Sequence, residues 1–326
     1  MDPAKTALAR QLKHESPIVS CRFDRAAQYV FFGDQECRLW RWAWNTETKV
    51  ELPGHDSWCR ALATTPANDV LITGGFDGRL IWWPVATEQP QPLRQVLDAH
   101  RGWIRAAEVS PDGKLLATAG NDRLVRLWNM ADGALVQELR GHESDVYNVT
   151  FHPSGQALAS CDLKCHIWHW DVATGKAERQ LRAASLHKYD ETFKADIGGC
   201  RGLRFNADGS QLAGGGMMNV TNAFAGVGQP AVVVFDWSSG KEVIQHETKG
   251  KGNGVVWNLA FHPDHLWLAV VGGGGGGFVY FWKPGQKEEF AQFKLPNTGR
   301  DMDLAADHTH LAVAHYDNHV RVYKLG

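Results

Sequence analysis

Two sets of side chains in this sequence have the residue types of a hydrolytic triad. The sets are His55, Thr73 and Asp77, and His100, Thr118 and Asp122. A hydroxyl nucleophile, an imidazole base and an orienting carboxylate could together perform acyl transfer. An enzyme of this kind needs one exposed nucleophile beside an oxyanion site, whereas here the same trio recurs at the same spacing. The recurrence predicts a structural role for both trios, and it predicts no catalytic residue.

A second group could ligate a metal ion. It contains Cys161, Cys165, His166 and His169. Their spacing matches no closed zinc pattern, and they lie on both sides of a predicted hairpin turn. The other four cysteines lie in apolar strand-like runs, where a small hydrophobic residue would also fit: Cys21, Cys37, Cys59 and Cys200. We therefore expect free thiols, no disulfide, no bound metal and no cofactor.

A glycine run from Gly272 to Gly277 contains the glycine spacing of a dinucleotide-binding loop. It lacks the helix that should follow, and no Lys-Ser/Thr pair accompanies it. The run is therefore interpreted as a flexible hairpin loop and not as a phosphate site.

The elements that position these residues follow from an internal repeat. Four histidines are each followed 28 residues later by a tryptophan: His14 and Trp42, His55 and Trp83, His100 and Trp128, and His142 and Trp170. Successive histidines are 41, 45 and 42 residues apart, which is the period of a four-stranded propeller blade. Short β-branched and aromatic runs, separated by turn pairs such as Asp112-Gly113 and Thr174-Gly175, fill each unit.

These units resemble the WD40-repeat family. The resemblance rests on stretches such as "GHDSWCRALATTPANDVLITGGFDGRLIWW" and "AHRGWIRAAEVSPDGKLLATAGNDRLVRLWN". Three later units match the repeat less closely but can still be recognised. It covers essentially the whole chain, residues 1–326, and implies one all-β domain, a seven-bladed propeller of four-stranded antiparallel blades. Seven third-strand runs can be counted, the last being "HVRVYK". Too few residues follow it for a fourth strand, so a strand at about residues 5–13 is predicted to complete the last blade and close the ring.

The resemblance also implies a structural network within a blade. The loop His bonds to a turn Asp and to Ser or Thr, and a Trp caps the group. Its members would be His55, Thr73, Asp77, Trp83, His100, Thr118, Asp122, Trp128, His142, Ser160 and Trp170. Blade four has Lys164 at the Asp position, and blade one has Glu36 there with Phe32 replacing Ser/Thr. The sequence therefore predicts complete networks in blades two and three and leaves the acid of blades one and four open.

The innermost strands of such a propeller open toward the mouth of a central channel. By alignment, the residues that open them are Val19, Arg60, Arg105, Tyr147, Arg201, Trp257 and Arg300. Trp58 and Trp103 precede two of the arginines by two positions. Guanidinium groups bind carboxylates or phosphates, and aromatic side chains provide contact area at low entropic cost. The alternative is that each arginine pairs with an acidic residue of a neighbouring blade or is solvated by water in the channel.

Three long loops are expected on the same face, at residues 182–199, 215–229 and 272–277. Long loops on a rigid scaffold commonly carry function, although neutral insertion is equally compatible with their length. Met217, Met218 and Phe224 are apolar residues in the second loop, so they should pack back onto the propeller or meet a partner.

The formal net charge of −2 argues against nucleic acid as the overall partner. The N-terminal segment has no apolar signal core, and we expect a soluble cytoplasmic protein without a membrane span. The predicted function is a non-catalytic scaffold that binds an acidic peptide or protein segment at the channel mouth. Two alternatives remain: an architectural subunit that uses blade edges or the opposite face, and a propeller enzyme.

Overall fold

A computed structural model describes residues 1–222 and 227–326. In these residues the strands form seven four-stranded antiparallel sheets and one two-stranded sheet. The first strands of consecutive blades contact one another all the way round, and the last contact joins blade seven to blade one. The fold is the predicted all-β, seven-bladed propeller.

The strands follow the chain in blade order. The N-terminal strand is β1, Ala7–Lys13. Blade one contains β2 Ile18–Phe23, β3 Tyr29–Asp34, β4 Leu39–Ala43 and β5 Thr48–Glu51. Blade two contains β6 Cys59–Thr64, β7 Val70–Gly75, β8 Leu80–Pro84 and β9 Arg94–Val96. Blade three contains β10 Ile104–Val109, β11 Leu115–Gly120, β12 Leu124–Asn129 and β13 Leu135–Arg140. Blade four contains β14 Val146–Phe151, β15 Ala157–Asp162, β16 His166–Asp171 and β17 Ala177–Arg182.

The two-stranded sheet precedes blade five and contains β18 Lys188–Asp190 and β19 Ala195–Ile197. Blade five contains β20 Gly202–Phe205, β21 Gln211–Asn222, β22 Val227–Asp236 and β23 Glu242–Glu247. Blade six contains β24 Val255–His262, β25 Leu266–Gly273, β26 Gly276–Trp282 and β27 Ala291–Leu295. Blade seven contains β28 Gly299–Leu304, β29 His310–His315 and β30 His319–Lys324. The described helices are three short 3₁₀ turns at Pro3–Lys5, Ala184–Leu186 and Lys249–Lys251.

Ring closure follows the sequence prediction. Strand β1 pairs antiparallel with β30, from Ala7 opposite Lys324 to Lys13 opposite His319. It supplies the outer strand that blade seven otherwise lacks. Closure removes the unpaired strand edges that would remain at the two ends of an open array.

The apolar core lies between the blades. Seven clusters of buried side chains occur in the described residues, one at each boundary between neighbouring blades. At the boundary of blades one and two, for example, Phe31 and Leu39 pack with Leu62 and Trp83. Second strands are therefore covered on both faces and read as continuous apolar runs, whereas outer strands such as β13 are half exposed.

The long segments differ in detail from the predicted loops. Segment 182–199 contains a short 3₁₀ turn and the β18–β19 hairpin. Within 215–229, the described residues extend strands β21 and β22 beyond the blade as a hairpin; Phe224 lies outside the described residues. Met218 packs back into the core at the boundary of blades four and five. The glycine run is a tight hairpin, in which Gly273 pairs with Gly276.

The glycine run is explained by a close approach of backbones. A Cβ atom at Gly272 or Gly277 would lie only 2.1 Å from the carbonyl oxygens of Gly299 and Asn297, respectively. Only glycine lets this hairpin lie against the chain of blade seven, so the predicted hairpin requires glycine at these two positions.

Candidate functional site

The residues predicted to open the inner strands share one local geometry. Arg60, Arg105, Tyr147, Trp257 and Arg300 each lie where the register between the first and second strands shifts by one residue. Such β-bulges turn a side chain out of the regular alternation and are common at the rims of barrels and active sites. Arg201 immediately precedes the short strand β20. The sequence pattern located these residues but gave no indication of the bulges.

A recurring backbone bond confirms which loops share the mouth face. In six blades, a residue in the turn that follows the second strand donates its N–H to a carbonyl in the loop that leads into the first strand. The donor and acceptor pairs are Gln35 to Pro17, Phe76 to Trp58, Asn121 to Trp103, Leu163 to Asp145, Gly275 to Asn253 and Tyr316 to Thr298. The two loops of each of these blades therefore lie at one end of the propeller.

Four arginines from four blades meet around two rings. The guanidinium carbons of Arg201, Arg300 and Arg60 lie 4.8, 5.4 and 5.6 Å from the centre of the Trp257 ring. Arg105 and Arg201 lie 4.1 and 5.4 Å from the Tyr147 ring. These distances are within the range of cation–π contacts. We call Arg60, Arg105, Arg201 and Arg300, with Tyr147 and Trp257, the mouth cluster.

The rim of the mouth cluster is aromatic. Trp103 stacks on Phe76 with ring centres 4.3 Å apart, and its side chain is 44% exposed. Trp58 lies against the same Phe76 and donates its indole N–H to the Gln35 carbonyl. Sequence reasoning missed Phe76 and also Tyr316, which lies under Arg300. Both follow a second strand directly, so an alignment of that turn would have found them.

The arginines of the mouth cluster are not paired with carboxylates. Within the described part of the chain, none of the four forms an ion pair within 4.0 Å. Arg105 Nε instead donates to Asn121 Oδ1 at 2.6 Å, and Arg60 contacts the Arg300 carbonyl at 3.5 Å. The alternative in which each arginine pairs with a neighbouring acid therefore does not describe this cluster.

The guanidinium groups of the mouth cluster repel one another, and burial together with this repulsion lowers the pKa of Arg60. Burial lowers its pKa to about 10, the carboxylate of Asp301 opposes the change, and the guanidinium groups of Arg201, Arg300 and Arg105 add to it. The side chain stays protonated at neutral pH, but its charge is only partly compensated. An anion at the mouth would relieve this repulsion.

The channel below the mouth contains further charges, which are largely paired. Arg22 contacts Asp303 at 3.0 Å, and Arg204 contacts Glu108 at 3.4 Å. Asp301 accepts from the Asn258 amide at 2.8 Å, and burial raises the pKa of its carboxyl group. The uncompensated positive charge is therefore concentrated at the mouth.

The histidine networks of blades two and three are fully hydrogen-bonded. In blade three, the Trp128 indole donates to Thr118 Oγ1 at 2.9 Å, and that oxygen lies 2.7 Å from His100 Nε2. His100 Nδ1 lies 2.8 Å from Asp122. Burial lowers the pKa of His100, so the neutral ring donates to Asp122 and accepts from the hydroxyl.

Blade two repeats this arrangement. The Trp83 indole donates to Thr73 Oγ1 at 3.1 Å, Thr73 Oγ1 lies 2.8 Å from His55 Nε2, and Asp77 contacts the other ring nitrogen. Both threonines are fully buried. Their hydroxyl groups therefore cannot reach a substrate.

The structure identifies the acid that the sequence left open in blades one and four. His142 bonds to Ser160 at 2.7 Å and, through Nδ1, to Asp162 at 3.0 Å, while Trp170 donates to Ser160. The acid is thus supplied by Asp162 at the end of the second strand, two positions before Lys164. Blade four therefore has a complete network.

Blade one uses the same position for its acid. Asp34, and not Glu36, lies 2.8 Å from His14 Nε2. Phe32 packs edge-on against the histidine ring in place of a hydroxyl. The indole N–H of Trp42 consequently has no hydrogen-bond partner among the described residues.

The four residues considered and rejected as metal ligands in the sequence do not lie together. The His169 ring is tilted against Trp237, and His166 lies 3.6 Å from Asp162. All six cysteines are free thiols. Cys161 and Cys165 instead approach Cys200 of the next blade. Cys37 and Cys200 were expected inside strands. Instead, Cys37 lies in a turn and Cys200 lies just before β20.

Comparison with known families accounts for the repeat. The family model described as WD domain, G-beta repeat, matches residues 46–84, 91–129, 133–171 and 242–283. The chain belongs to the WD40-repeat family. Each WD40 match begins before or within an outer strand and ends with the third strand of the following blade. This stagger is the reason a WD40 ring must close with a strand from the other end of the repeat array.

WD40 propellers generally act as non-catalytic scaffolds for protein interaction. No sequence among the curated proteins matches this WD40 chain. The helices in the described ranges, 1–222 and 227–326, are too short to cross a membrane.

Proposed function

We propose that this WD40 propeller binds an acidic segment of a protein partner over the mouth cluster. The observation that carries the proposal is the set of four guanidinium groups that contact aromatic rings and have no carboxylate within ion-pair distance in the described residues. Arginine forks bind carboxylates bidentately, and grouped arginine and aromatic side chains are typical of binding hot spots.

The surroundings of the cluster favour a peptide over a small molecule. The cavity within the channel holds only about 60 Å³, far less than the volume of a typical small-molecule pocket of about 300 Å³ or more. The rim is open, with Trp103 half exposed, and strands β21 and β22 of blade five continue beyond the start of β20. An extended chain can lie across this rim and place its carboxylates above the arginines.

The test is a charge reversal measured with a defined probe. A fluorescein-labelled polyglutamate peptide should bind the wild-type protein with an affinity that falls as salt is added. Replacing Arg60→Glu together with Arg105→Glu should weaken binding by more than about tenfold, since a hot-spot residue is worth about 2 kcal/mol or more. A phosphorylated peptide tests the alternative anion, and a single-stranded oligonucleotide should not compete.

A matched control makes the same change of charge elsewhere. Arg140→Glu with Arg182→Glu alters two exposed arginines at the ends of outer strands β13 and β17. This variant should bind polyglutamate like the wild type. Equal binding by the mouth variant and the control variant would refute the proposal, provided that both unfold at the wild-type temperature.

The architectural alternative is supported by the outer strands of two adjacent blades. Leu93 and Leu97 flank β9, and Leu135 and Val136 begin β13; all four are 46–60% exposed. Apolar side chains grouped on blade edges are typical of a protein interface. Replacing Leu135→Lys with Leu97→Lys should leave polyglutamate binding unchanged but prevent assembly if these edges dock against another subunit.

A further inference from the structure

Three thiols from two blades meet in the interior, close to the mouth cluster. Cys161 is the last residue but one of the second strand of blade four, Cys165 follows the turn after that strand, and Cys200 immediately precedes Arg201 in blade five. Their sulfur atoms all lie within 4.8 Å of one another, and all three residues are fully buried. The propeller ring brings Cys200 to the other two across a blade boundary.

These sulfurs differ from the isolated thiols of the same protein. The Cys21 sulfur faces the Ala312 carbonyl at 3.7 Å, and the Cys59 sulfur faces the Gly74 carbonyl at the same distance. Each behaves as a small apolar side chain in a core. In the cluster, by contrast, Cys165 accepts a hydrogen bond from the Gly199 N–H at 3.2 Å. The Cys165 sulfur therefore has a backbone donor directed at it in addition to its own contact with the Leu186 carbonyl at 3.4 Å.

The cluster lies beside a permanent cation. Arg201, which follows Cys200 in the chain, interacts electrostatically with Cys165. Deprotonated thiols are the ligands that soft metal ions require.

We propose that Cys161, Cys165 and Cys200 form a binding site for one Cu(I) ion. Soft thiolate ligands select Cu(I), zinc or iron–sulfur clusters. Structural zinc sites take four ligands, and iron–sulfur clusters are usually held by four cysteines. Within residues 1–222 and 227–326, the group that could hold a metal here consists of these three sulfurs alone. Cu(I) is stable with three sulfur ligands, and full burial denies the site a water ligand.

The binding step conserves charge and oxidation state. Each of the three S–H groups that coordinates loses its proton to solvent, and copper stays Cu(I) throughout. The resulting trithiolate complex carries a net charge of −2, which the guanidinium group of Arg201 partly compensates. The ion would join Cys161 and Cys165 of blade four to Cys200, which precedes the first strand of blade five.

The test uses the full chain, reduced and kept under nitrogen. Cu(I) is supplied as its bathocuproine disulfonate complex, and the wild-type protein should withdraw one equivalent per chain. X-ray absorption of the loaded protein should report only sulfur ligands, about three per copper. This measurement needs no variant, so it stays decisive even if a cysteine variant fails to fold.

Variants then assign the ligands. Cys165→Ala or Cys200→Ala should weaken Cu(I) binding by more than about 100-fold, because even loss of a group that only supports a ligand costs about 10- to 100-fold. Cys59→Ala removes an equally buried thiol outside the cluster and should bind like the wild type. Cu(I) should also raise the melting temperature of the wild type and the control, but not that of the two cluster variants.

Three results would overturn the proposal. They are failure of the wild type to take Cu(I) from the competitor, nitrogen or oxygen ligands in the absorption spectrum, and equal Cu(I) binding by Cys200→Ala and Cys59→Ala. Preferential uptake of Zn(II) over Cu(I) would overturn the choice of metal. None of these results bears on peptide binding at the mouth cluster.

Discussion

The arginines of the mouth cluster are held by aromatic rings, and these contacts leave their charge uncompensated. Trp257 contacts three guanidinium groups, and Tyr147 contacts two. A ring face orients a guanidinium but does not neutralise it, so the N–H donors remain available to a carboxylate. At the scale of single residues, this is what separates the mouth from the paired arginines of the channel, such as Arg22 and Arg204.

The histidine networks make a testable contribution to stability. Thr118→Val keeps the shape of the side chain but leaves His100 Nε2 and the Trp128 indole without their partner. We expect the free energy of unfolding to fall by about 1–3 kcal/mol, the cost of leaving buried polar groups unpaired. Thr118→Ser retains the hydroxyl, as Ser160 does in blade four, and should cost much less. Equal urea midpoints for Thr118→Val and the wild type would contradict a structural role.

His315 predicts a pH dependence of stability. It is fully buried, with Nδ1 at 3.1 Å from the Asn297 carbonyl and Nε2 at 3.3 Å from the Tyr323 hydroxyl. Burial lowers its pKa to about 3, with Arg321 adding to the effect. The folded ring stays neutral while the unfolded chain takes up a proton below about pH 6.5, so this group costs about 2 kcal/mol of stability between about pH 7.5 and pH 5.

The measurement compares the wild type with His315→Gln, which can donate to the carbonyl and accept from the hydroxyl but does not titrate. Unfolding free energies at both pH values should show a loss that is smaller by about 2 kcal/mol in the variant. Parallel losses in the two proteins would show that His315 does not contribute.

At the scale of elements, sequence periodicity predicted the strands that repeat but not the departures from the repeat. The spacing of His100 and Trp128 located blade three, because both residues belong to one network at fixed strand positions. Asp34 and Asp162 were missed, because these acids end the second strand and the pattern places the acid in the turn. The β-bulges at Arg60 and Arg105 could not be predicted, because no particular residue type in the sequence signals them.

The close approach of the glycine hairpin, residues 272–277, to blade seven can be tested by substitution. Gly277→Ala would bring a Cβ atom to 2.1 Å from the Asn297 carbonyl oxygen, so the strand must shift. We expect a loss of about 1–3 kcal/mol in unfolding free energy, as for overpacking in a core. Gly252→Ala is the control, since the atom nearest to its added Cβ would be the Tyr280 hydroxyl oxygen, at 3.3 Å. Equal melting temperatures for the two variants would contradict the close approach.

At the scale of the whole molecule, the packing of the blades in a ring creates both candidate sites. Arg60 and Arg300 are far apart in sequence, yet the nitrogen of one lies 3.5 Å from the carbonyl of the other. Cys200 likewise meets Cys161 across a blade boundary. The alignment predicted the first convergence, because equivalent positions in a closed ring must face one opening. It could not predict the second, because the three cysteines occupy positions that are not equivalent in their blades.

The central claim is that side chains from several blades bind one acidic ligand at a single opening. Its most direct test is photo-crosslinking of a short polyglutamate peptide that carries a benzophenone group, with adducts located by mass spectrometry. Adducts should fall on aromatic residues of several blades, the rim residues Trp58 and Trp103 and the mouth-cluster residues Tyr147 and Trp257, and should disappear when Arg60 and Arg105 are replaced by Glu. Adducts confined to the outer strands or the opposite face, and unaffected by that replacement, would contradict the account.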